Sequence, residues 1–205
     1  MDAWLTTDSH FGHDALVEDN CRPAGFSEKI MKGLRNATKF FSGVLIHMGD
    51  VSFDRDDFWH REICSLPCKK WLIKGNHDKQ SDSWLMARGW DWVGDSMTLT
   101  AFGKKILLSH APQMVRGSSM NPGMAYTTAD GNVIPSNGEH FVSFQYDLNI
   151  HGHFHDFGIE KVAKMEPQYY NLLTPRHYLI SLEGLNYQPI RLKRVIELYN
   201  KRNKQ

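Results

Sequence analysis

Five short apolar runs in this chain each stop at a polar residue able to bind a metal ion. Residues 3–7 run into Asp8, 44–48 into Gly49-Asp50, 70–74 into Gly75-Asn76, 104–109 into His110, and 147–150 into His151-Gly152-His153. The runs have the length and residue types of β-strands. Side chains just past the C-terminal ends of such strands gather along one sheet edge, where ligand crevices form. The repetition of the pattern predicts one site assembled from strand ends.

Helical spacing fills the intervals between the early strands. Residues 27–41 place Ile30, Leu34, Ala37 and Phe41 on one face, with Ser27 as N-cap. Residues 54–66 align Trp59, Ile63 and Leu66, carry acidic residues in the first turn, and stop at Pro67. A shorter helix is predicted over 81–87. Residues 97–101 and 104–109 flank Phe102-Gly103 as a hairpin, 178–182 read as a late strand, and Leu192, Val195, Ile196 and Tyr199 form the apolar stripe of a C-terminal helix. Residues 111–146 show no strong periodicity and carry Pro112, Gly117, Pro122, Gly123, Gly131, Pro135 and Gly138. They are expected to form a long loop, and its start beside His110 suggests a substrate-gating segment. Strands alternating with helices, then hairpins, imply a layered α/β or α+β fold. The 205 residues suffice for a single domain.

Composition removes several function classes. With 41% hydrophobic and 23% charged residues the chain is globular in character, and a net charge of +1 supplies no global field for nucleic acid. No apolar run approaches the roughly 20 residues that span a bilayer. The opening Met1-Asp-Ala-Trp4 lacks the basic and apolar parts of a secretion signal. A soluble, cytoplasmic protein with no membrane partner is expected. Cys21, Cys64 and Cys68 cannot all pair, and Cys64 and Cys68 without a second pair make a poor zinc site, so reduced thiols are expected.

The chemistry lies in the motifs Asp8-Ser9-His10, Gly49-Asp50, Gly75-Asn76-His77-Asp78, Ser109-His110 and Gly152-His153-Phe154-His155. Asp8 and His10 are two apart, which in an extended segment points both to the same side. The same parity pairs His153 with His155, although a turn there would split them between neighbouring ions. Carboxylate, carboxamide and imidazole suit Mn²⁺, Fe²⁺, Zn²⁺ or Ni²⁺ without choosing sharply among them. Two such ions about 3.5–4 Å apart need a shared anionic ligand, for which Asp50 is the natural candidate. Gly49 and Gly75 precede their ligands, where a missing side chain lets backbone approach closely.

In this order the motifs resemble the calcineurin-like metallophosphoesterases, over about 150 of the 205 residues. The stretch 179–190, Arg22-Pro23 and the run Asp8-Ser-His-Phe-Gly-His13 resemble small bacterial and phage members. The resemblance implies a four-layer αββα sandwich with a dinuclear metal site at the C-terminal strand ends. It implies that Asp8, His10 and His155 hold one ion and Asn76, His110 and His153 the other, with Asp50 bridging. It further implies attack on phosphorus by a metal-bridging hydroxide, with His77 beside the scissile bond as the catalytic histidine. The larger phosphoprotein phosphatases carry Gly-Asp-x-x-Asp-Arg-Gly. Here Gly49-Asp-Val-Ser-Phe-Asp54-Arg55 is one residue longer and lacks the final Gly, leaving Asp54 and Asp78 both as candidates to orient His77.

Other residues carry weaker expectations. His13 and Arg116 are candidate substrate contacts. His151 is either structural or a support to the ligands, His47 is a buried structural histidine, and no function is assigned to His60, His140 or His177. Trp59, Trp71, Trp84, Trp90 and Trp92 are expected in the core, and the basic residues of 191–204 on a solvated helix face. The expected substrate is a small or nucleotide-like phosphodiester or phosphomonoester. A nuclease acting on DNA or RNA ends and a non-catalytic interaction scaffold on the same fold are the alternatives.

Overall fold

In the computed structural model, which describes residues 1–19, 21–112, 125–127, 132–135, 142–143, 146–156 and 175–203, the chain builds a mixed α/β sandwich. The first sheet sets β1 (Ala3–Thr6), β2 (Val44–His47), β3 (Lys69–Ile73) and β4 (Trp92–Gly94) side by side and parallel. A short strand, β12 (Ile190–Arg191), closes its other edge antiparallel to β1. The second sheet holds β6 (Lys104–Ser109), β10 (Leu148–His151) and β11 (His177–Leu179) in parallel, with β5 (Ser96–Ala101) antiparallel to β6.

Strand parity explains how the layers stack. Successive side chains of a strand point to opposite faces. Ile46 and Ile73 therefore face the second sheet, where they meet Ile106, Leu108 and Ile150. Their neighbours Leu45 and Leu72 point the other way, into a second cluster with Ile30 and Leu34 of α2 (Phe26–Thr38), Ile63 of α3 (Asp56–Cys64) and Leu85 of α4 (Asp82–Met86). The first sheet is thus buried on both faces, the usual state of a parallel sheet and the reason its strands read as continuous apolar runs. The C-terminal helix, α5 (Leu192–Arg202), adds Leu192, Val195, Ile196 and Tyr199 to the inter-sheet cluster. Two sheets flanked by helices is the arrangement expected from the sequence. Among the described residues no helix is long and apolar enough to cross a membrane, and Cys21, Cys64 and Cys68 are unpaired.

The differences from expectation are local and have simple causes. α2 starts after Gly25, which is left-handed at φ 73°, so Ser27 lies inside the first turn instead of capping it. α3 starts after the left-handed Arg55, two residues later than its acidic run suggests. Ser81 does cap α4, accepting from the Trp84 amide at 3.2 Å. The one-turn helix α1 (Ala15–Glu18) and the short strands β4 and β12 are too brief for periodicity to mark them, and the late strand expected over 178–182 is β11, which ends at Leu179. The segment 111–146 is not simply a loop. It contains a three-stranded antiparallel sheet, β7 (Ala125–Thr127), β8 (Asn132–Pro135) and β9 (Val142–Ser143), whose strands are again too short to show alternation in sequence. The gating role expected of that segment falls largely outside the described residues.

The hairpin between β5 and β6 is as tight as a hairpin can be. Ala101 pairs with Lys104, leaving Phe102 and Gly103 as the two turn residues, both left-handed at φ 53° and 70°. Two positive φ values suit the right-handed twist of the strands, and Asn-Gly is the preferred pair there. A bulky residue in this region is strained by roughly 1–2 kcal/mol, and Phe102 is exposed. Phe102→Asn is accordingly expected to raise the free energy of unfolding by about 1 kcal/mol in urea titration. A loss of stability instead would mean that the exposed ring contributes packing that outweighs the strain.

Candidate metal centre

Because β1, β2 and β3 are parallel, their C-terminal ends open at one edge of the first sheet, and β6 and β10 do the same in the second. The loops leaving these ends carry the motif residues. Five of the candidate ligands have left-handed backbone: Asp8 (φ 47°), His10 (44°), Asp50 (55°), His153 (72°) and His155 (49°). Asp8 and His10 therefore do not converge through the alternation of an extended segment, as their spacing suggests; a left-handed turn aims them. Non-glycine residues in this region are uncommon and persist where the surroundings over-determine them. Here the loops lock one another. The Asp8 amide donates to Gly49 O at 2.9 Å, the His10 amide to Asp50 O at 3.0 Å, and the His153 amide to Asp8 Oδ2 at 3.0 Å.

The side chains form two contiguous groups of donors, Asp8 with His10 and His155, and Asp50 with His110 and His153. Within each group the donor atoms lie within 4.8 Å of one another. His153 and His155 fall in different groups, the outcome a turn between them allows. Asn76 joins the second group, its Oδ1 being 3.0 Å from His110 Nε2, which is also 3.2 Å from His153 Nδ1. Asp50 lies between the groups. Its Oδ1 accepts from the His77 amide at 2.9 Å, and its Oδ2 is 3.4 Å from His10 Nε2 and 3.3 Å from His110 Nε2.

The donor set fits metal ions on an observation independent of the motifs. Both ring nitrogens of His10 and Oδ1 of Asp8 are buried and lack a hydrogen-bond partner. The 3.4 Å approach of His10 to Asp50 does not have hydrogen-bond geometry. Buried polar atoms are ordinarily satisfied, and leaving them bare costs on the order of 1–3 kcal/mol each. A cation held by these atoms removes that cost. Asp8, His10 and His155 would hold one ion, and Asn76, His110 and His153 the other, with Asp50 available to both.

Electrostatics separates the two groups. Burial drives the His10 imidazole down to about 2, against the pull of Asp50, so it is neutral and ready to ligate. Burial also disfavours charge on His110, but its contact with Asp50 and the charges of Asp8 and Asp50 prevail and hold it well above the ordinary imidazole range. Asp50, which burial alone would raise, is kept far below the usual carboxylate range, chiefly by His110. In the metal-free protein the His110 proton is thus the counter-charge to Asp50.

Glycines make the close approach possible at two points. A Cβ on Gly75 would run into the Asp50 carboxylate. Gly49, at φ 96°, would carry a Cβ 2.6 Å from both Gly75 N and His110 Nδ1. Asp78 holds the same two loops together: its carboxylate accepts from the amides of Asp50 (2.8 Å), Val51 (3.0 Å) and Gly75 (2.8 Å). These bonds go to backbone and none reaches the His77 ring, so Asp78 shapes the loops. Asp54 is exposed and accepts from the Arg55 amide at 2.8 Å. The His77 ring sits at the rim, its Nε2 4.0 Å from Asp50 Oδ2.

His13 lies beside His10, with ring centroids 5.5 Å apart, and stacks on Phe53 at 3.7 Å; Phe53 in turn lies 5.4 Å from His77. Arg116 lies outside the described residues. His151 is buried behind the site, its Nδ1 3.0 Å from Gly152 O, and burial lowers its pKa to about 3. His47 is fully buried and bonded to Ser9 Oγ at 2.8 Å, so it backs the Asp8–His10 turn from inside. Two residues were not singled out by spacing as part of the site: Arg22, whose guanidinium donates to the carbonyls of Asp8 and Ser9, and Glu183, whose Oε1 is 3.0 Å from His155 Nδ1. Arg22-Pro23 was visible only as part of a resemblance, and Glu183 lies 28 residues beyond the ligand it touches.

No protein-family model matches this sequence, and no curated protein matches it. Solved structures do. A protein of unknown function from Aquifex aeolicus, AQ665, is similar over 96% of this chain and 98% of its own, with 23% identity and a TM-score of 0.60, which shows a shared fold. An archaeal phosphodiesterase aligns with 77% of this chain and 76% of its own at 20% identity and a TM-score of 0.43. The Pseudomonas putida nuclease MPE aligns with 75% of this chain and 61% of its own at 18% identity and a TM-score of 0.42.

The charge state of His110 yields a direct expectation. A cation entering its group must displace the His110 proton, so metal affinity should rise with pH through and above the ordinary imidazole range, and loading should release at least one proton. Calorimetry in buffers of differing ionisation enthalpy measures that release. Metal uptake with no proton release would remove His110 from the ligand set.

Proposed function

We propose that this chain is a metal-dependent hydrolase of phosphate esters, acting on a phosphodiester or phosphomonoester of small, nucleotide-like size. The observation that carries the reading is the pair of donor groups meeting at Asp50 Oδ2, with the buried His10 and Asp8 atoms unsatisfied between them. Two divalent cations bound there would offset the negative charge of a phosphate ester and lower the pKa of an attacking water. Manganese, iron, zinc and nickel all suit the donor set.

The protein's own part is positioning and proton handling. His77 stands at the rim with its amide anchored on Asp50, so its half-buried ring is held over the site while remaining reachable by substrate. That is the placement required of a group that stabilises phosphoryl oxygens or protonates a leaving alcohol. His13 stacked on Phe53 forms the adjoining wall and is suited to contact the phosphate or the group it carries.

A small substrate, in preference to a long nucleic acid, is the reading that the net charge of only +1 supports. Nucleic-acid binding draws its affinity from Lys and Arg that neutralise phosphates.

Hydrolysis of bis(p-nitrophenyl) phosphate in the presence of Mn²⁺ tests the proposal. His77→Ala keeps the amide that donates to Asp50, so bound metal should be unchanged while kcat falls about 10²–10⁴-fold. Full activity in that variant would remove the histidine's role. A metal-loaded protein inert towards every phosphate ester in a screen of cyclic nucleotides, mononucleotides and dinucleotides would overturn the enzyme reading in favour of a binding scaffold.

A further inference from the structure

We propose that Arg22 and Glu183 form a positioning pair that assembles one ligand group, fixing the Asp8–His10 turn with one edge of the guanidinium and the tautomer of His155 through the carboxylate. This rests on the reading that Asp8, His10 and His155 hold a cation. It adds two residues whose contacts decide whether that group is competent.

Arg22 is buried, with 3% of its surface accessible, and its donors are all directed. Nη1 donates to Ser9 O at 2.8 Å and Nη2 to Asp8 O at 2.7 Å, two successive carbonyls of a turn that is left-handed on both sides. Nε donates to Glu183 Oε1 at 2.8 Å, and Nη2 is 2.7 Å from the same oxygen. A planar fork satisfies all three acceptors at once; a lysine ammonium at the end of a flexible stem does not reproduce that geometry.

The carboxylate then acts on His155. Glu183 Oε1 is 3.0 Å from His155 Nδ1, and Arg22 Nη2 is 3.2 Å from the same nitrogen. Nδ1 cannot both donate to the carboxylate and accept from the guanidinium. If it accepted from Arg22, a neutral ring would carry its proton on Nε2, directed towards the region of Asp8 Oδ1, 3.9 Å away, and could not ligate from there. If it donates to Glu183, the Nε2 lone pair faces Asp8 and the rest of its group. A carboxylate beside the outer nitrogen of a ligating imidazole commonly sets the tautomer in this way. The guanidinium already has three better acceptors, so the Nδ1–H tautomer is the consistent one.

The other group touches the Asp8–His10 turn through the His153 and His10 amides, but it has anchors that neither Arg22 nor Glu183 reaches. His110 Nδ1 lies 2.9 Å from Met48 O, and Asp50 is held by the His77 amide. Loss of Arg22 or Glu183 should therefore weaken one ion more than the other.

Nitrogen-15 NMR of the imidazoles and calorimetric titration with Mn²⁺ or Zn²⁺ test this together. In the native metal-free protein His155 should carry its proton on Nδ1, and in Glu183→Ala the balance should move towards Nε2. Arg22→Gln and Glu183→Ala should lower the affinity for one ion about 10–100-fold, with the other ion affected clearly less. Glu183→Gln, whose carbonyl can still accept, should keep the Nδ1–H tautomer and recover much of the affinity. An Nε2-protonated His155 in the native protein, or equal weakening of both ions in the variants, would overturn the proposal. A native protein that takes up no metal would instead sink the phosphoesterase reading, and the tautomer measurement would still decide the role of Glu183.

Discussion

Two carboxylates, Asp8 and Asp50, are almost wholly buried at one edge of the sandwich, and the rest of the site is arranged around that concentration of negative charge. Isolated buried charge is costly, so the protein must supply compensation or recruit it. Part is internal. Asp8 Oδ2 accepts from Thr7 Oγ1 and the His153 amide, Asp50 Oδ1 from the His77 amide, and His110 holds a proton beside Asp50. The two remaining carboxylate oxygens, Asp8 Oδ1 and Asp50 Oδ2, are the ones that face the imidazoles. Divalent cations would supply the missing compensation, and the unpartnered ring nitrogens of the buried His10 are the clearest sign of the need.

The fold serves that edge at every level. Parallel pairing sends successive strand ends in the same direction, and burial of the first sheet on both faces keeps those ends from shifting. The loops then depart from ordinary backbone at the ligands themselves, and cross-loop hydrogen bonds from Asp78, Arg22 and the amides of Asp8, His10 and His153 hold the departures in place. Local conformational strain at the site is thus balanced by a network that is itself buried.

What could be read from residue order alone follows from this division. The principal strands and helices declare themselves because Leu45 and Ile46, or Ile30 and Leu34, repeat at the spacing of the element that buries them. Asp8, Asp50, Asn76, His110 and His153 declare themselves because each follows an apolar run, and His10 and His155 because each lies two residues beyond one of these. Spacing failed where structure depends on backbone conformation or on distant contacts. Asp8 and His10 converge by a left-handed turn that no side-chain parity encodes. β7, β8 and β9 are too short to show a period. Arg22 and Glu183 are 161 residues apart, and each looks like an ordinary charged residue until the other is beside it.

The placement of β1 has a consequence for how the molecule comes into being. It is flanked by β2 on one side and by β12 on the other, with Trp4 paired to Arg191. β1, and the ligands just beyond it, thus wait for a strand far along the chain before their sheet is complete. Pairings so remote in sequence form slowly, because closing the intervening chain is entropically expensive. Until that later segment arrives, a nascent chain would expose one edge of β1, and Arg22, which clamps the Asp8–His10 turn, would lack its Glu183 partner. The group of Asp8, His10 and His155 would take its final shape only when those distant segments meet.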